Sequence, residues 1–388
     1  MIRSLPFLLL LSVAVSSLAQ NAPTHCMTAD VQGLPVKQLI ACAETFPDDT
    51  LWHLDRIDQR DANFDGKTWR GRGGKGVVIY VVDTGVLASH DEFMTASGSR
   101  VIAGFDVAAQ SENPCHSPDP VLQPCGNGIA DLIETSHGTA AASAAAGKTV
   151  GVAPEAFVVA IRIGGYLSWT TADFNRALDR IIQHAFDPRS PQFTTGVVSL
   201  SISVADVGEG ITFDALKAKM EQMTKGVDAN GNADPNGKRF FFSVAAGNIG
   251  GPFCPGAGNI AALFPATIGP QIDGIVTVGG VARSGDAVWS GSCRGAELYA
   301  PAEEMLVATT SGPNHYRGGG VLPTSGTSWS APMVAGLAAR LLEINPSLTP
   351  AQLEAQLKGS SVPLASGEGN IPLSLAPSQS GKARGVRH

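Results

Sequence analysis

Gly76-Val77-Val78-Ile79-Tyr80-Val81-Val82-Asp83 is the stretch on which the fold class turns. Its apolar, β-branched run does not alternate with polar residues, so both faces of the strand must be buried. Buried faces place it in the middle of a parallel sheet. Glycines from Gly71 to Gly76 enter the run, and Asp83-Thr84-Gly85 turns out of it. Four further strands are expected at Phe157 to Ile163, Gly196 to Ser201, Arg239 to Ala245 and Gly274 to Val278. Helical patterns alternate with them. Ala172, Phe174, Ala177, Leu178, Ile181, Ile182 and Ala185 form one stripe between Thr170 and Phe186, with Thr170 and Asp173 spaced as a capping box. Phe213, Leu216, Met220 and Met223 mark a second amphipathic helix. Thr349-Pro350-Ala351-Gln352 opens a third, with N-cap, N1 proline and N3 glutamine in their preferred places. Strands alternating with helices predict an α/β protein: a doubly wound, mainly parallel sheet flanked by helices.

The chain has 388 residues, 44% hydrophobic and 16% charged, which is enough for one large core. A net charge of −7 is mild for this length. Basic residues are scattered and cluster only at Lys382, Arg384 and Arg387, so nucleic acid is set aside as a partner. Met1-Ile2-Arg3, the apolar run from Pro6 to Val15 and Ser17-Leu18-Ala19 before Gln20 read as a secretory signal peptide over residues 1–19. No other apolar stretch approaches membrane length. The expected mature protein is therefore secreted, free of the membrane and monomeric. Residues 20–49 read as a short, irregular N-terminal extension or a reduced propeptide, 50–361 as the main domain, and 362–388 as a flexible tail. Cys26, Cys42, Cys115, Cys125, Cys254 and Cys293 agree with an oxidising compartment. Six thiols allow fifteen pairings, and closeness along the chain suggests Cys26–Cys42 and Cys115–Cys125, leaving Cys254–Cys293.

Three triplets carry the chemistry. Asp83-Thr84-Gly85 follows the buried strand and puts a carboxylate in the crevice beyond a strand's carboxyl end. Alone it is an ordinary turn aspartate. An aspartic dyad would need a second such triplet, and the chain has none. His137-Gly138-Thr139 precedes the alanine-rich segment from Ala140 to Ala146, a tightly packed helix whose first turn would hold the imidazole toward the crevice. In Gly326-Thr327-Ser328-Trp329-Ser330-Ala331-Pro332-Met333-Val334-Ala335-Gly336 a loop enters a buried helix with the serine at its N-terminal end. Unpaired N–H groups and the helix dipole there favour a developing negative charge. Ser328 could otherwise be a simple N-cap, and His137 a capping or surface histidine. A fourth element, Ser243-Val244-Ala245-Ala246-Gly247-Asn248, ends a strand in a primary amide. A serine hydroxyl becomes nucleophilic when an imidazole takes its proton and a carboxylate orients that imidazole.

In this order, Asp83, His137, Asn248 and Ser328 make the chain resemble the subtilisin-like serine peptidases, and Leu51 to Ile57 resembles the proteinase K branch. The resemblance spans roughly residues 50 to 360. It implies peptide-bond hydrolysis through an acyl-enzyme. Asp83 would orient His137, His137 would act as general base and then acid, and Ser328 would attack. Asn248 and the Ser328 N–H would hold the oxyanion. Val198 to Ser203 matches the family's substrate-pairing strand, implying substrate contacts at Ser201, Ile202 and Ser203, with Gly247 beside them. The chain departs from the pattern in four places. Ala140 replaces a second histidine, and Ser203 replaces the glycine ending the substrate strand. Ala108 to Glu134 is a long insertion, and too few residues precede the domain for the usual propeptide.

Calcium often stabilises this family. Asp61-Ala62-Asn63-Phe64-Asp65-Gly66 begins like a calcium loop, but Arg72 stands where its bidentate glutamate belongs. Asp228 to Asp234 also alternates oxygen-bearing side chains. Both read as solvated polar loops; no metal or other cofactor is assigned. Polypeptides are the expected partners. Two rival readings stay open: a non-catalytic peptide-binding module on the same fold, and an esterase using the same triad, although the Gly-x-Ser-x-Gly elbow is missing.

Overall fold

The computed structural model describes residues 50–374 except 65, 67, 69–71, 108–114, 117–135, 165–168, 206–209, 250–253, 255–258, 261–262 and 319–323, and two upstream strands. Seven parallel strands form the main sheet: β1 (Val78–Asp83), β2 (Val101–Asp106), β3 (Phe157–Arg162), β4 (Thr195–Leu200), β5 (Arg239–Ala245), β6 (Ile275–Val281) and β7 (Leu298–Pro301). Their spatial order is β7-β6-β5-β4-β1-β3-β2, and Cys115–His116 adds an antiparallel edge to β2. Helices α1 (Trp52–Asp58), α2 (His137–Ala146), α3 (Thr171–Phe186), α4 (Phe213–Lys225), α5 (Thr327–Ile344) and α6 (Pro350–Gly359) complete the frame.

β1 is buried along its whole length, as its composition requires. Alternate side chains serve two cores. Ile79 and Val81 pack with residues of α1, α2, α5 and α6, whereas Val78, Tyr80 and Val82 pack with residues of α3 and α4. The expected capping boxes form at Thr170/Asp173 and Thr349/Gln352. Composition also explains why α2 lies so deep. Every residue from His137 to Ala146 is buried, and small side chains let α5 run beside it. A Cβ on Gly336 would come within 2.8 Å of Ala145 O and 2.7 Å of Val152 Cβ. With His137 packed on Trp329 at the other end, the two helices lie side by side with their N-termini together.

The chain order reverses direction across the sheet between β1 and β4. Such switch points open a crevice beyond the strands' carboxyl ends. Asp83 closes β1 there, residues 201–203 leave β4, and Asn248 follows β5.

Three sequence expectations need correction. Val362 does not begin a loose tail: Val362–Pro363 and Asn370–Ile371 pair antiparallel, Leu364, Ile371 and Leu373 are buried, and Ser374 N donates to Ile57 O. Apolar residues at alternate positions give this segment a face to bury, which its Ser, Pro and Gly content masks. Residues 20–49 are not irregular throughout. His25–Ala29 and Gln38–Ala43 pair antiparallel with Cys26 opposite Cys42, and the first strand lies parallel to His315–Arg317. The strands Val101–Asp106 and Leu298–Pro301 were not anticipated, because each is short or broken by glycine or proline. The disulfide Cys254–Cys293, the pair left over when the other cysteines are matched by proximity, forms. Residues 1–19, most of 108–134, Cys125 and 375–388 lie outside the described residues.

Candidate active site

Asp83 and His137 meet at the crevice. His137 Nδ1 lies 2.8 Å from Asp83 Oδ1, which also accepts the Thr84 N–H at 2.7 Å. A carboxylate only accepts, so it is Nδ1 that carries a proton toward Asp83. Asp83 is 1% exposed and His137 7%.

The two triplets interlock, which explains their composition. Thr84 Oγ1 accepts the Gly138 N–H at 3.0 Å, and Thr139 Oγ1 accepts the Leu87 N–H at 2.9 Å. A Cβ on Gly138 would stand 2.0 Å from Gly85 O, so only glycine lets the turns approach this closely. Ser136, just before the helix, has φ +51, a left-handed value costly for serine. Its Oγ does not cap α2 but accepts the Thr310 N–H at 3.0 Å, which holds the strained turn.

Ser328 occupies the first turn of α5, 9% exposed. Its neighbour Trp329 lies with ring centroid 5.1 Å from that of His137, tilted by 43°. The Arg317 guanidinium sits 5.6 Å from the same indole. Pro332, four residues after Ser328, has no N–H to give the Ser328 carbonyl. Ser201 Oγ donates to that carbonyl instead, at 2.8 Å. A proline inside the helix thus hands one of its bonds to the segment leaving β4.

Asn248 is oriented by α5. Its Oδ1 accepts from Thr327 N at 3.0 Å and from Thr327 Oγ1 at 3.1 Å. Its Nδ2 therefore faces the other way. That Nδ2 and Ser328 N both lie 3.7 Å from the point where a Cβ would stand on Gly326. Ile249 N donates to Gly291 O, and the disulfide Cys254–Cys293 ties the same two loops together.

The residues expected from sequence to meet substrate have different surroundings. Val198 to Leu200 are paired on both sides, with β5 and with β1, so only residues 201–203 can receive another chain. Ser201 turns its hydroxyl to Ser328, and the Ile202 side chain is buried in the core, leaving Ser203 partly exposed there. At Gly247 the N–H donates to Thr327 Oγ1 and the carbonyl accepts from Cys293 N. It is glycine because φ is +92 and a Cβ would meet Leu263 Cδ1 at 2.6 Å. Sequence reading missed Thr84, Thr139, Ser136 and Thr327 as positioning groups. Their hydroxyls look like ordinary turn residues until the turns meet.

In the two calcium-like loops, aspartate oxygens accept N–H groups of their own loop. The Asp228 carboxylate accepts from Asn232 N and Nδ2 and from Asn230 N, and these bonds, those of Asn232 foremost, hold its carboxyl below the usual range. Asp61 Oδ1 accepts the Asn63 N–H, and Asp65 lies outside the described residues. Among the described residues no three His, Cys, Asp or Glu side chains gather as a metal site. No helix among them is long and apolar enough to cross a membrane.

Residues 74–376 match the sequence profile of the subtilase family. Alkaline serine exoprotease A of Vibrio alginolyticus is 29% identical over 317 residues, covering 81% of this chain and 48% of that protein. A cuticle-degrading serine protease of Arthrobotrys oligospora is 30% identical over 299 residues, covering 75% of this chain and 58% of that protein. The aligned part thus spans 48–58% of the length of these relatives. A crystal structure of a cold-adapted subtilisin-like serine proteinase superposes with TM-score 0.61 at 27% identity, over 84% of this chain and 99% of that one.

Proposed function

The chain belongs to the subtilase family, and on that premise we propose that it is a secreted, monomeric serine endopeptidase that hydrolyses polypeptides through an acyl-enzyme on Ser328. One observation carries the reading: the 2.8 Å bond from His137 Nδ1 to Asp83 leaves the imidazole's other nitrogen as a base beside the N-terminus of α5. Ser328 Oγ attacks the scissile carbonyl while His137 Nε2 takes its proton. Charge collects on the carbonyl oxygen, where Ser328 N and Asn248 Nδ2 donate hydrogen bonds. His137 then gives the proton to the leaving amine, and water repeats the sequence to release the acid. Removing an oxyanion donor of the Asn248 kind costs about 10²–10³ in kcat, a value measured in subtilisin itself and borrowed here. An extended substrate would run along residues 201–203, with Ser203 making the first pocket narrower or more polar.

Ser328→Ala tests the assignment. It should abolish casein hydrolysis and labelling by a fluorophosphonate while leaving thermal unfolding unchanged. Unaltered hydrolysis in that variant would refute it.

A further inference from the structure

Resting on that reading, we propose that Trp329 is a catalytic residue whose indole N–H is a third donor to the oxyanion, beside Ser328 N and Asn248 Nδ2. Three observations meet at one point. The nearest atoms to a Cβ built on Gly326, its chain neighbours aside, are Asn248 Nδ2, Ser328 N and Trp329 Nε1, each at 3.7 Å. All three are nitrogens bearing hydrogen. Trp329 is 4% exposed, and its Nε1 has no hydrogen-bond partner among the described residues. Indole nitrogen can only donate, and a buried donor without an acceptor is rare in a well-packed protein.

The ring cannot easily turn away to find another acceptor. One neighbour is the His137 imidazole at 5.1 Å, and Arg317 lies 5.6 Å from the indole. Gly326 at φ 172 is ordinary extended backbone, so its missing side chain is not explained by strain; a Cβ there would enter the hollow. A fixed donor shielded from water gains most when charge appears only in the transition state. The oxygen of the tetrahedral intermediate supplies that charge. No proton changes hands in this contact; it is a hydrogen bond that strengthens as the carbonyl oxygen becomes negative.

Trp329→Phe keeps a ring against His137 and removes only the N–H and the second ring. Turnover of a peptide amide should fall ~10-fold with KM changed less than ~2-fold, and a peptidyl trifluoromethyl ketone should bind weaker by the same factor. In the unsubstituted protein labelled with ¹⁵N-indole, forming the ketone adduct should move the Trp329 N–H resonance downfield. An unchanged kcat overturns the proposal. So does a lowered kcat with a stationary N–H resonance, because packing alone would explain it. A native protein that no fluorophosphonate labels overturns this proposal and the peptidase reading together; a labelled native protein with an indifferent Trp329→Phe overturns this one alone.

Discussion

The two halves of the crevice are built by different means. On the base side, Asp83-Thr84-Gly85 and His137-Gly138-Thr139 fit backbone against backbone, with Gly138 pressed on Gly85 O and both threonine hydroxyls bonded across the join. On the proposed oxyanion side, a Cβ on Gly326 would meet nothing nearer than 3.7 Å, and Asn248 and Thr327 hold the geometry through side chains. The base side is therefore limited by sterics. The oxyanion side is limited by which polar groups are present and what fills the hollow.

Alanine at the two glycines should break this comparison most sharply. Gly138→Ala forces a Cβ into a backbone oxygen and should cost about 3 kcal/mol or more, the upper range of overpacking, with activity lost as the turns separate. Gly326→Ala meets only ordinary van der Waals contacts at 3.7 Å, so its unfolding midpoint should stay put while kcat falls about 10²-fold as the methyl enters the proposed oxyanion hollow. Denaturant unfolding and initial rates on both variants check this. Equal loss of stability in the two would end the distinction.

The bond from Ser201 to the Ser328 carbonyl sharpens it. Ser201→Ala strands a buried carbonyl and should cost about 1–3 kcal/mol. Adding Pro332→Ala supplies an N–H one turn later and should recover part of that cost, because the carbonyl regains a helical donor. A double-mutant cycle by thermal unfolding gives the coupling. Additive losses would show that Ser201 does not stand in for the missing bond.

The smallest effect is on pH dependence. Buried His90 accepts the Glu92 N–H at Nδ1 and donates from Nε2 to His315 O, and burial pulls its pKa below the usual value. The unfolded chain then takes up its proton first, so stability falls as pH drops from about 6.5 toward the lower folded value and levels off below it. His90→Gln should flatten the unfolding midpoint between about pH 7 and 5. His315 shifts in the same direction, so some slope remains. An unchanged slope would remove His90 from the account.

Much of this was legible in sequence because it depends on local pattern. A run without polar alternation in Val78–Asp83 can only be a doubly buried strand, and Thr170/Asp173 and Thr349/Gln352 announce helix starts by spacing alone. The three triplets were legible as candidate sites because each needs a special turn at an element's end. The order of β3, β1 and β4 around the crevice was not legible, nor was Ser201's bond to Ser328 or the meeting of Trp329, Ser328 and Asn248 around Gly326. Segments far apart in the chain meet only when the sheet closes, and hydrogen bonds and steric limits between them depend on distances no single segment encodes. The residues available for chemistry were thus set by the sequence, while their partners and the space left between them were decided by packing.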